Sequence, residues 1–147
     1  MTVVDRSKAL EDPRQSATHR ARVLVVEDDL MLRKVIVKVL EKFGYACETA
    51  NDGVEALAAH EKRAFDVILM DCQMPRLDGF EATSAIRKRE AATRQHIPII
   101  ALTAMLGTRA QCLEAGMDDY MNKPLQPAAI DAAIQRVLSS GTGRSAL

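Results

Sequence analysis

The sequence predicts an α/β fold, a doubly wound five-stranded parallel sheet covered by helices on both faces. Three observations predict it. Five short apolar runs alternate with five longer segments of helical period. The alternation is strict, which implies right-handed crossovers between parallel strands. Three of the runs, RVLVV at 22–26, DVILM at 66–70 and PIIAL at 98–102, are continuous enough to be strands buried on both faces.

Each element follows in order. After the first strand, Leu32, Val35, Ile36, Val39, Leu40 and Phe43 recur at helical spacing, with Arg33, Lys34, Lys38 and Lys42 on the other side, and Gly44 supplies a stop. A second strand covers 46–49. Asn51-Asp52-Gly53 with Glu55 opens a second helix reaching about Arg63, and Leu77-Asp78-Gly79 opens a third after strand 66–70, reaching about Arg89. Strand 98–102 leads to a fourth helix at 108–115 and a fifth strand at 119–121. Ile130, Ala133, Ile134, Val137 and Leu138 mark the last helix. The polar stretch 1–20 reads as a flexible leader, 21–140 as the domain, and the Gly- and Ser-rich 141–147 as a flexible tail.

Composition bounds the function. At 147 residues, 48% hydrophobic and 27% charged, the chain has the size of one soluble globular domain with a core of its own. Cys47, Cys72 and Cys112 are odd in number and form no CxxC pair, so neither a disulfide framework nor a zinc site is indicated, and a cytoplasmic setting is expected. Twenty basic residues cancel twenty acidic ones and aromatics are 3%, which argues against a dedicated nucleic-acid binder. No run approaches the ~18 to 20 apolar residues of a membrane span.

In a doubly wound sheet the site forms at the carboxyl ends of the strands, where strand order reverses. That rule selects Glu27, Asp28 and Asp29 after the first strand, Asp71 after the third, Thr103 after the fourth, and Lys123, followed by Pro124, after the fifth. Singly, each has a plain structural account: a helix cap, a solvated strand end, a β-branched strand former, a surface charge. Together, carboxylates at adjacent strand ends repel one another by a few kcal/mol per pair at an effective dielectric of ~20, so a cation is favoured. Oxygen ligands without His or Cys select magnesium, which commonly binds carboxylates together with phosphate oxygens and water. Asp71 is the carboxylate placed to take a phosphoryl group covalently, with Lys123 neutralising its oxygens.

With these residues in view, the chain resembles the receiver domains of response regulators in two-component phosphorelay signalling. VLVVEDD at 23–29, DVILMDCQMPRLDGFE at 66–81, ALTA at 101–104 and LEAGMDDYMNKP at 113–124 carry the likeness. They look most like receivers attached to hybrid sensor kinases. The resemblance implies a flavodoxin-like (βα)5 fold, Asp71 as phosphoacceptor, and Glu27 and Asp28 as the acidic pair. Asp28 would contact Mg2+ directly and Glu27 largely through water, with the Gln73 carbonyl as the other protein ligand. It further implies Thr103 as the hydroxyl that closes on the phosphoryl group, Lys123 as its cationic partner, Tyr120 as the switch aromatic, and a cis Lys123-Pro124 bond.

The implied partners are a histidine kinase or histidine phosphotransfer protein and a downstream protein met through the fourth helix, fifth strand and fifth helix, with the chain a monomer or weak dimer. It is expected to promote its own phosphorylation and dephosphorylation without a separate enzymatic output domain. The initiating Met, polar leader and short tail favour a single-domain regulator. His19, His60 and His96, expected in the leader or on exposed helix or loop, do not read as phosphorelay histidines. A magnesium-dependent hydrolase of the haloacid dehalogenase type needs a second Asp two residues after the nucleophile, where this chain has Gln73. One departure stands out: similar receivers read LTANAM where this chain reads LTAM. The shortening predicts a displaced or unwound start to the fourth helix, with Met105 and Leu106 packing over the site or presenting an altered partner surface, or a helix that simply begins two residues earlier.

Overall fold

The computed structural model describes residues 20–104 and 109–140, and the side chains of 20–104 and 109–139. Five strands, β1 (Arg22–Val26), β2 (Ala46–Ala50), β3 (Val67–Asp71), β4 (Ile99–Thr103) and β5 (Asp119–Asn122), alternate with five helices. These are α1 (Leu30–Lys42), α2 (Gly53–Lys62), α3 (Gly79–Thr93), α4 (Arg109–Ala115) and α5 (Pro127–Ser140). All neighbouring strands pair in parallel in the order β2-β1-β3-β4-β5. This is the predicted doubly wound sheet. The chain leaves β1 for β2 on one side and then crosses to β3 on the other, so the carboxyl ends of β1 and β3 flank the switch point.

The strand sequences follow from this placement. The interior strands β1, β3 and β4 are buried along all or nearly all of their length, as their unbroken apolar runs require, while the edge strands β2 and β5 are partly exposed. Alternate side chains feed two cores. Val23, Val25, Leu69, Ile100 and Leu102 meet Ile36 and Leu40 of α1 and Ile130 and Ile134 of α5, whereas Leu24, Val26, Ile68, Met70 and Ile99 meet Ala56, Ala82, Ile86 and Cys112 of α2 to α4.

Strand and helix ends refine the sequence reading. β3 and β4 each begin and end one residue later than predicted. Pro98 has no N–H for the ladder, and Asp66 is tied to Arg22 by its own amide on the Arg22 carbonyl at 2.8 Å and by its carboxylate, which accepts from the Arg22 amide at 2.7 Å. The shift makes Asp71 and Thr103 the last residues of their strands. Helix α3 runs on to Thr93 rather than stopping near Arg89. Gly44 ends the turn after α1 at a φ of +91°, a conformation that favours glycine. Of the stripe expected on α1, Ile36 and Leu40 are buried but Val35 is 55% exposed and Phe43 46%. Arg20, placed with the leader, donates to the carbonyls of Gly44 and Tyr45 at 2.8 and 2.9 Å. The Lys123-Pro124 bond is cis. The expectation for Met105 and Leu106 lies outside the described residues, as do 1–19 and 141–147.

Candidate functional site

The site is built on strand ends. Glu27 follows β1 directly, held by its amide on the Ala50 carbonyl at 3.1 Å, and its side chain is 1% exposed. Asp28 is exposed at the rim. Asp29 turns away as the N-cap of α1, accepting from the Met31 and Leu32 amides at 2.9 and 3.1 Å. Its structural reading holds, and it does not join the acidic cluster. Asp71 ends β3 and is buried. One carboxylate oxygen each of Glu27, Asp28 and Asp71 lies within 4.8 Å of the others.

Two further strand ends close the cleft. Thr103 is buried at the end of β4, where its carbonyl receives the Lys123 amide at 2.7 Å. That bond carries Lys123 inward, so its ammonium stands 3.0 Å from Glu27 Oε1 and 3.4 Å from Asp71 Oδ1. Gln73, exposed at the start of the β3–α3 loop, donates its amide to Asp71 Oδ1 at 3.2 Å. Tyr120 lies apart on β5, half-buried, with the Arg109 guanidinium of α4 6.0 Å from its ring centre. The sequence-selected residues Glu27, Asp28, Asp71, Thr103, Lys123 and Gln73 thus meet at one edge of the sheet.

The electrostatics differ in emphasis from the sequence reading. Burial, more than repulsion, pushes the Asp71 carboxyl up to about 7, with the Glu27 charge adding to it and Lys123 and the Gln73 amide pulling it back. Burial also pulls Lys123 down, but Glu27 and Asp71 outweigh it and hold the ammonium above its ordinary range. The buried charge of Glu27 is therefore matched by Lys123. Hard oxygen donors converging without His or Cys, one of them held up to about 7 chiefly by burial, fit a small divalent cation. Asp28 and Asp71, with the Gln73 carbonyl, would hold it.

Other residues support the site. Arg33 of α1 donates to the Glu27 carbonyl at 2.8 Å. Gly79 sits so close to the end of β3 that a Cβ there would lie 2.2 Å from the Asp71 carbonyl oxygen. Asp78 and Glu81 complete a capping box at that helix start, a pattern the LDGFE motif does display. His60 is not exposed as expected: it is half-buried and its Nδ1 lies 3.0 Å from the Arg89 guanidinium.

Fold and site together define an α/β module with a cation-competent acidic cleft at its topological switch point. Comparison with known proteins gives that module a family. The profile of the response regulator receiver domain matches residues 23–135, and the chain belongs to that family. Hybrid signal transduction histidine kinase I of Dictyostelium discoideum is 49% identical over 113 residues, which are 72% of this chain and 6% of that protein. The chain spans between 4% and 13% of the length of the first eukaryotic histidine kinases it matches. Among solved structures, the receiver domain of sensor histidine kinase PA1611 from Pseudomonas aeruginosa is 41% identical with a TM-score of 0.75, covering 83% of this chain and 100% of that one. That structure has a magnesium ion coordinated in its active-site cleft. The receiver of Saccharomyces cerevisiae Ssk1, solved with the histidine phosphotransfer protein Ypd1, is 27% identical with a TM-score of 0.76, covering 83% of this chain and 91% of that one. The chain is thus a receiver domain of two-component phosphorelay signalling. Among the described residues no helix is long and apolar enough to cross a membrane.

Proposed function

We propose that Asp71 accepts a phosphoryl group from the phosphohistidine of a kinase or phosphotransfer protein, with Mg2+ held by Asp28, Asp71 and the Gln73 carbonyl. The observation that carries this is the convergence of three carboxylate oxygens within 4.8 Å beside the Lys123 ammonium. When bound, magnesium neutralises charge on the transferring oxygens. The chain's own residues do the rest. An Asp71 oxygen attacks phosphorus as the phosphorus–nitrogen bond of the donor histidine breaks, and Lys123 and the Thr103 hydroxyl receive the new phosphoryl oxygens. Phosphorylation adds up to ~2 negative charges. Those draw Lys123 from Glu27 and offer the Thr103 hydroxyl a new charged acceptor, the differential interaction a switch requires.

The donor docks on the exposed start of α1. Leu30, Met31 and Val35 are 51%, 69% and 55% exposed in the first two turns of the helix that follows Asp28, interspersed with the exposed Lys34 and Lys38. Output passes through the α4–β5–α5 surface, where Arg109 over Tyr120 and the half-exposed Leu113 present groups that a change at Thr103 can reach. Intact-protein mass spectrometry after incubation with acetyl phosphate and magnesium tests the core of this reading. Wild type gains one phosphoryl mass and Asp71→Asn gains none; equal labelling of both sinks it.

A further inference from the structure

We infer that Arg76, through the buried carboxylate of Asp52, positions the β3–α3 loop and with it the cation site. The inference rests on the reading of Gln73 and Asp71 as cation ligands. Gln73 is the second residue of that loop, which runs from Cys72 to Asp78, so whatever fixes residues 74–78 fixes the Gln73 carbonyl near its start. The Gly79 end is pinned by backbone, its amide donating to the Cys72 carbonyl at 3.2 Å. The middle is pinned from a different element. Arg76 sends Nε to Asp52 Oδ2 at 2.8 Å, and its terminal nitrogen pairs with the same oxygen. One residue on, the Gly53 amide donates to the Leu77 carbonyl at 3.1 Å, and a Cβ on Gly53 would lie 2.4 Å from that oxygen.

Two features set this pair apart from an ordinary surface ion pair. Asp52 is 6% exposed and is also the N-cap of α2, accepting from the Glu55 amide at 2.9 Å. Burial favours its neutral form, but the Glu55 amide and Arg76 outweigh that and hold the carboxyl below the usual range. Arg76 also occupies a left-handed backbone conformation, φ +69°, that L side chains adopt at a cost and glycine adopts freely. A long cationic side chain stands where the backbone prefers glycine, and its guanidinium reaches the one buried carboxylate of the neighbouring helix start. The clamp joins α2 to the loop 24 residues further along the chain.

That strain provides a test in which stability and positioning are read separately. Arg76→Gly removes the guanidinium and relieves the backbone, so a purely structural role predicts little change at the cation site. Calorimetric titration with magnesium chloride is expected to show Arg76→Gly binding roughly tenfold more weakly than wild type, the lower end of what losing an outer support costs a metal site. Metal-free thermal melting of the same variant is expected to fall by several degrees, because the buried Asp52 carboxylate loses its partner while relief of the left-handed backbone returns only part of that cost. Asp52→Asn keeps a helix cap but loses the charge, and is expected to weaken magnesium to the same extent, with the double variant no weaker than either single one. Exchange of the Gly53 amide is expected to quicken in both metal-free variants. Magnesium affinities of Arg76→Gly or Asp52→Asn within twofold of a wild type that binds magnesium would overturn the clamp while leaving the site intact. A wild type that does not bind magnesium would overturn the reading beneath it.

Discussion

The Lys123 ammonium lies closer to Glu27 than to Asp71, at 3.0 Å against 3.4 Å. Glu27 is the more deeply buried of the two, so the lysine's first task in the unphosphorylated protein is to match a charge that has no solvent. Removing it with Lys123→Gln strands that charge, at a cost of about 3 kcal/mol or somewhat less given the partly exposed ammonium. The expected result is a melting temperature lower by roughly 10 °C. An Asp71 carboxyl titrating above the wild-type value of about 7 in carbon-13 NMR should accompany it, since Lys123 pulls that value down. A melting temperature within about 2 °C of wild type would refute the pairing.

Asp71 also sets the pH dependence. Its carboxyl titrates at about 7 in the fold against 3.8 ordinarily, so between those values the native chain holds a proton that the unfolded chain has released. Stability from this group therefore falls as pH rises through that window and stays low above it. Lys123, also raised in the fold, has the same sign in a separate window, its contribution being fully present below its ordinary 10.5 and lost only as pH rises above it. A divalent cation competes with the Asp71 proton. Magnesium should thus raise the melting temperature more at pH 8 than at pH 5.5, with about 1.4 kcal/mol gained at tenfold excess over Kd. Equal increments at both pH values, measured by circular dichroism, would contradict the assignment.

Glycine at two helix starts is required by neighbouring carbonyls. Ala at the first position of a helix ordinarily stabilises by up to ~1 kcal/mol relative to Gly. At Gly79, however, a Cβ would lie 2.2 Å from the Asp71 carbonyl oxygen, and neither backbone can yield without moving the end of β3. Gly79→Ala is expected to lose about 2 to 3 kcal/mol in urea unfolding. Gly44→Ala, with open space around it but a φ of +91°, should lose only the conformational cost of about 1 to 2 kcal/mol. A stabilised Gly79→Ala would show that the loop is free to move.

Much of this architecture was legible because burial on both faces leaves an unmistakable sequence. VLVV, VILM and IIAL could hardly be anything but interior strands, and their carboxyl ends delivered Glu27, Asp71 and Thr103 together. The reading failed where a polar residue does apolar work. Helix α3 was expected to reach only about Arg89, yet it continues through Glu90, which is buried and held by Arg87 at 2.6 Å and the Ile97 amide at 2.6 Å. Asp118 joins the same network through Arg87 and His96, pinning β4 to the turn before β5. Val35 failed in the other direction, an apolar residue at core spacing that faces outward. Arg76 and Asp52 lie 24 residues apart in unrelated local patterns, so only the folded chain pairs them.

The outward face of α1 separates docking from chemistry. Leu30, Met31 and Val35 contribute little to either core, so replacing them with polar residues costs little stability, within about 0.5 kcal/mol for exposed positions. Their apolar side chains carry no group that can take part in phosphoryl transfer, so phosphorylation by a small donor such as acetyl phosphate should proceed at the wild-type rate in Met31→Ser and Val35→Ser. Transfer from a protein donor must bury this face, and losing a central apolar anchor costs an interface roughly 1 to 2 kcal/mol, a five- to thirtyfold change. The double variant should therefore transfer from a phosphorylated histidine phosphotransfer protein at least about fivefold more slowly at sub-saturating concentration, while its acetyl phosphate rate stays unchanged. Equal slowing with both donors would place these residues in the chemistry, and no slowing with either would move the docking surface to another face.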